Sequence, residues 1–197
     1  TISETRDGII QSKIPDLLFL NEKINENCKK LLFGKDIEQF SLKFNENWVH
    51  YDIDLMKIEE LKRNGGGLRM RNPSIFERPK ILTRQTADRI IGTIDDNNYY
   101  YSNTLHGTHI QNNSYDPRFV LAQLNSELLN FYYKKTTNEG GKVFAQIKIE
   151  LLRLMPICFN NNQSPFITIV NYIENLINLN NFQFEFDYFK LLLDSIV

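Results

Sequence analysis

The sequence predicts an α+β fold: a twisted mixed or antiparallel sheet with flanking helices and further helices at its C-terminal end. Three observations carry this expectation. Short runs rich in β-branched and aromatic residues crowd residues 80–110. Apolar residues recur at helical spacing after residue 117 and again after residue 165. Clusters of Asn, Asp and Gly punctuate the chain between these stretches.

Taken in order, residues 21–33 (NEKINENCKKLLF) read as a helix capped by Asn21. Ile24, Cys28, Leu31 and Leu32 fall on one face, and Gly34 stops it. QFSLKF (39–44) alternates like a half-buried strand and is expected to pair with NWVHYD (47–52) across a turn at Asn45-Glu46-Asn47. Residues 54–61 read as a helix capped by Asp54. Gly65-Gly66-Gly67 opens a loop running to Pro73. KILTRQT and RIIGTID are short strands, and Asp95-Asp96-Asn97-Asn98 turns the chain into NYYYSNTLHGTHI.

Asp116-Pro117 introduces a helix over 117–134, with Phe119, Val120, Leu124, Leu128 and Phe131 as its apolar stripe. Gly140-Gly141 breaks the chain before VFAQIKIELLRLMPI, part extended and part helical. A polar linker at 160–164 leads to a helix over 165–180, and the aromatic tail 182–197 forms another.

The bulk numbers fit one folded domain. In 197 residues, 42% are hydrophobic and 24% charged, close to the average of a folded globular protein, so disorder is not the default expectation. No apolar run reaches the roughly 18 residues of a membrane span, and the first residues lack the order of a signal peptide. The chain starts at Thr1 and reads as a fragment of a longer protein. Cys28 and Cys158 stand far apart outside any CxxC pair, so neither a disulfide framework nor a zinc site is expected, a usage suited to a reducing cytoplasm.

Net charge is −1, but it is unevenly spread. Residues 1–60 hold eight Lys/Arg against twelve Asp/Glu, whereas 61–90 hold eight Lys/Arg against two. In that basic block Arg63, Arg69, Arg71, Lys80, Arg84 and Arg89 are the candidate DNA-contacting residues, with Arg69, Arg71 and Arg84 foremost. Arginine can fork two hydrogen bonds to guanine or phosphate, and Tyr99, Tyr100 and Tyr101 follow closely. The competing reading is a solvated face over packed tyrosines.

Catalytic constellations are not found. His106 and His109, three apart in an extended stretch, point to opposite faces and read as surface or turn residues. Gly65-Gly66-Gly67 lacks the GxxxxGK[ST] pattern, and Asp95-Asp96 reads as a turn. Convergence of Asp52, Asp54, Asp95 and Asp96 would be the mark of a stand-alone enzyme.

FERPKILTRQT followed by IDDNNYYYSNT resembles the opening of the C-terminal specificity, or target-recognition, domain of TaqI-class adenine-specific DNA methyltransferases. VLAQLNSELLNFYYKKTTNEGGKVFAQIKIELLRLMPI is similar to that domain's later part, and DGIIQSKIPDLLFLNE, LLFGKDIEQF and NWVHYD resemble the joint to the methyltransferase in combined type IIG proteins. The resemblance implies three regions: 1–50 connecting from an absent upstream methyltransferase, 51–158 the target-recognition core, and 159–197 a C-terminal helical segment.

It also implies a function. The fragment would bind double-stranded DNA and would carry no catalysis, cofactor or metal of its own. The parent would use S-adenosylmethionine, and Mg where it also cleaves. Leu124, Leu128, Leu151 and Leu154 are expected in the core, and Asn125 is expected to be a helix-surface or buried hydrogen-bonding residue rather than a base reader. The rival is a protein-interaction module that binds through its aromatic C-terminal helices.

Overall fold

The computed structural model describes residues 3–9, 19–52, 71–137, 145–179 and 183–197. The expected helix at 54–61, the glycine loop at 64–70, Arg63, Arg69 and Gly140-Gly141 lie outside these residues. The fold is α+β, as the sequence predicts.

A four-stranded antiparallel sheet forms the centre, in the order β1 (Ser3–Asp7), β10 (Leu105–Ile110), β7 (Lys80–Arg84), β8 (Gly92–Asp95). A second sheet runs β2 (Phe19–Leu20), β6 (Trp48–His50), β3 (Cys28–Leu32), β9 (Tyr100–Tyr101). A small hairpin joins β4 (Ile37–Glu38) to β5 (Ser41–Leu42), with Phe40 at φ 63° in its turn. Residues 3–50, expected as a connecting segment, thus lend six strands to the sheets.

The central sheet is covered on both faces, and Lys80, Ile81, Leu82 and Thr83 of β7 are all buried. Ile81 and Ile94 point to a helical layer, while Leu82 and Leu105 point to the second sheet. The helical layer comprises α1 (Pro117–Asn125), α2 (Glu127–Thr137), α3 (Ile149–Leu152), α4 (Ser164–Asn178) and α5 (Gln183–Ile196). Phe119, Leu121, Val170 and Ile173 are its inner side chains. Between the sheets, Tyr101 lies across Gly107, where an added Cβ would fall 2.2 Å from the phenol oxygen.

Three expectations are corrected. Residues 21–33 form no helix; Cys28–Leu32 is a strand, because β6 takes its backbone on one side and β9, in parallel, on the other. Leu31 and Leu32 are both fully buried, whereas Ile24, which suggested the helical face, is 57% exposed. Trp48–His50 is a strand but pairs with β3 and β2 instead of residues 39–44.

The predicted helix at 117–134 is two helices. Its start is as expected, with the Asp116 side chain accepting from Arg118 N at 2.7 Å. Ser126 then turns extended (φ −68°, ψ 153°), its hydroxyl bonding Gln123 O and Leu129 N. The break rotates the apolar stripe: Leu129 and Tyr133 turn inward, while Leu128 and Phe131 are each 61% exposed. Leu154 is exposed as well and Leu151 half-buried, leaving Leu124 as the fully buried leucine of the four expected in the core. Asn125 is buried and bonds both N and O of Gly92 at 2.9 Å.

Candidate nucleic-acid interface

Positive charge concentrated along the chain is dispersed in space. Arg71 Nε donates to Gly8 O at 3.3 Å, and its guanidinium lies 4.0 Å from Asp7. Arg78 reaches Glu4 at 3.5 Å. Arg84 donates to Ile37 O at 2.8 Å and to Glu38 at 2.5 Å. Arg89 bonds Glu127. Of these partners, Asp7, Glu4 and Glu38 come from the acidic first third of the chain. The described arginines of the basic block are therefore already faced by protein acceptors, each retaining partial exposure.

Lys80 departs furthest from its expected place. Its side chain and that of Asp95 are both 0% exposed, 2.6 Å apart. The ammonium also donates to Phe76 O at 2.7 Å. Burial pulls the Lys80 pKa down, and the Asp95 carboxylate opposes that pull. Lys80 is an interior ion pair and has no surface to offer a phosphate.

Asp95 in turn accepts from the backbone N–H groups of Asn97 and Tyr99, both at 2.9 Å. The exposed turn at Asp96, Asn97 and Asn98 is thus pinned from beneath, with Asn98 in the left-handed region at φ 59°. The turn carries the chain from the central sheet at β8 to the second sheet at β9, so both its ends are anchored.

Beside this turn lies a groove of about 380 Å³, lined by Lys23, Lys29, Lys30, Trp48, Asn97, Asn98 and Tyr99 among others. Lys30 sits over the rings of Phe44 and Tyr99, at 5.1 and 5.8 Å from their centroids. Phe44 and Tyr99 stack at 5.8 Å, and Trp48 meets Phe44 edge-on at 5.4 Å. One acid, Glu77, stands at the wall, 4.0 Å from Lys29. Lys29 and Lys30 are not among the sequence candidates, since residues 21–33 read as a helix outside the basic block. The Lys-Lys pair was visible, but its aromatic neighbours arrive from two distant segments.

The other candidates for chemistry lie apart. His106 and His109 project from opposite faces of β10 as expected, but both are 2% exposed and not on the surface. His106 Nδ1 lies 2.7 Å from Asp7 and Nε2 2.8 Å from Ile147 O. His109 meets the carbonyls of Pro79 and Ile75, and burial lowers its pKa. Asp96 pairs with Arg118, away from the Asp95 carboxylate; Asp54 lies outside the described residues. Among the described residues no group of three His, Cys, Asp or Glu side chains could hold a metal ion, and no helix is long and apolar enough to cross a membrane.

Glu127, at the start of α2, joins Arg89 to Lys190 of α5. Hydrogen bonds from Arg89 and then Lys190 pull its pKa down to about 2. A carboxyl lowered by folding stabilises the native state above its ordinary value of 4.5, and that contribution fades as the pH falls toward about 2. Glu127→Gln should therefore lower the urea midpoint at pH 7, with the gap to the unaltered chain closing on acidification. A gap independent of pH would refute the charge origin.

Fold and surface together define an α+β domain that gathers lysines and aromatic rings at one groove beside a rigid turn. The model for the TaqI-like C-terminal specificity domain matches residues 29–157, and the chain belongs to that family. No curated protein sequence matches it. Among solved structures, the Type IIL restriction-modification enzyme MmeI in complex with DNA is similar, with a TM-score of 0.58 and 12% identity. That likeness covers 99% of this chain and 32% of the MmeI chain, and at such identity it is a likeness of fold.

Proposed function

We propose that this chain recognises a short sequence in double-stranded DNA as the specificity domain of a bacterial restriction-modification protein acting in the cytoplasm. The observation that carries the reading is the family match across the groove-bearing residues 29–157. The groove adds the chemistry such a task needs: lysines for phosphates, with aromatic rings and amides beside them. Catalysis belongs to the parent. An adenine-specific methyltransferase, covalently linked upstream, would bind S-adenosylmethionine and receive the flipped base, with Mg required where the parent also cleaves.

Residues 51–158 are proposed as the larger part of the recognition core, with 1–50 leading in from the methyltransferase and adding the groove's lysines and Trp48, and 159–197 as the helical end. Arg71, Arg84 and Arg89, and Arg63 and Arg69, remain candidate phosphate ligands. For the described three, phosphate would have to exchange with Asp7, Glu38 or Glu127.

The chain should retain duplexes from a random pool. A protein making 6–10 phosphate contacts loses roughly 10³–10⁵ in affinity between 50 and 200 mM salt. Absence of binding at low salt would sink this reading. A second reading, a protein-interaction module, would then stand on the exposed Leu128 and Phe131 of α2 and Tyr188 and Leu191 of α5.

A further inference from the structure

We infer that the Asn97-Asn98 turn is the base-reading element, with Asn97 recognising an adenine in the major groove and Lys29 and Lys30 holding the flanking phosphates; this rests on the DNA-recognition reading above. Three observations converge on it. The turn is exposed at Asp96, Asn97 and Asn98, yet its backbone is fixed from below by a fully buried carboxylate. A reading side chain needs such support, since a constellation held to about 0.5 Å discriminates and a looser one does not. Beside it the groove gathers Lys23, paired with Glu26 at 3.0 Å, Lys29, 4.0 Å from Glu77, and Lys30, which lies over the Phe44 and Tyr99 rings. Elsewhere the described arginines of the basic block already face protein acceptors.

The chemistry selects the base. A side-chain amide presents one acceptor and one donor side by side, matching N6 and N7 of adenine, which only the major groove displays. The turn is exposed and the lysines line the groove beside it, so the turn can enter the major groove while the lysines meet the flanking phosphates. Asn98 has a backbone reason to be asparagine, its φ of 59°. Asn97 is exposed, and its bond to Asp95 is made by its backbone N–H.

The test is selection from random duplexes by the unaltered chain, Asn97→Ala, Asn98→Gly and the pair Lys29→Ala/Lys30→Ala. Glycine at 98 removes the side chain without straining the left-handed backbone. The unaltered chain should enrich a motif containing an A·T pair preferred by roughly 5- to 150-fold, the span of one bidentate contact. Asn97→Ala should erase that preference at one position and leave the salt slope in place. The lysine variant should keep the motif and flatten the slope by about 0.9 for each phosphate it no longer neutralises.

An unchanged motif in Asn97→Ala overturns the inference while DNA recognition by the chain stands. Salt-sensitive binding of the unaltered chain with no motif overturns it too. No DNA binding at all removes the underlying reading of function, a result distinct from both.

Discussion

Lys80→Met is expected to destabilise the domain by roughly 3–5 kcal/mol, the cost of leaving a buried charge without its partner. Asp95 would remain fully enclosed, with the Asn97 and Tyr99 N–H groups as its remaining donors. Left without its counter-charge, the carboxylate would draw water into the layer between the sheets. Removing both charges separates the causes. The double variant Lys80→Met/Asp95→Asn should recover part of the loss, because no unpaired charge remains, although the single amide oxygen can accept from only one of the two turn N–H groups. Urea denaturation of the three variants measures the cycle. A cost below about 1 kcal/mol for the single change would mean that the pair is not enclosed as described, since that is the range of exposed ion pairs. Had Lys80 been a phosphate ligand, the variant would instead keep its stability and lose salt dependence in DNA binding.

The second large effect is expected at Asn125. Its amide completes the outer side of β8 as a neighbouring strand would, taking the N–H of Gly92 and giving a hydrogen to its carbonyl. Leucine there fills a similar volume but satisfies neither group. Each buried polar group left unpaired costs about 1–3 kcal/mol. Gly92 O keeps the bond from Phe40 N at 2.9 Å, so the N–H is the greater loss. Hydrogen exchange at Gly92 should accelerate in Asn125→Leu well beyond the global change in stability. If Gly92 remained protected, the strand mimicry would be wrong.

These two residues mark how far the sequence could be read. Local signals were legible where the controlling atoms are close in sequence: the Asp116 cap, the strand after Pro79 and the asparagine turn after Asp95. Helical spacing over 21–33 misled because Cys28, Leu31 and Leu32 meet both templates, and the deciding partners lie at residues 48–50 and 100–101. The same distance hid the site. Charge counted along the chain put Lys80 with the arginines, although the register Lys80↔Asp95 across β7 and β8 encloses it. Lys29, Trp48 and Tyr99 meet only once the second sheet is formed. For Asn125 the sequence left a helix-surface and a buried hydrogen-bonding role both open, because the strand that decides between them lies more than thirty residues away.

On the ribosome, β1 is made first and waits longest. Thr5 shares its hydroxyl hydrogen bond with Thr108, and the edge of the central sheet is filled only when β10 has emerged. At about 5–20 residues per second, the intervening chain takes roughly 5–20 s to synthesise. For that interval the segment is an unpaired strand, and its closing contacts span most of the domain, the arrangement that slows folding most. The central sheet can close only once its last strand has been translated, and the helices that cover one of its faces follow still later.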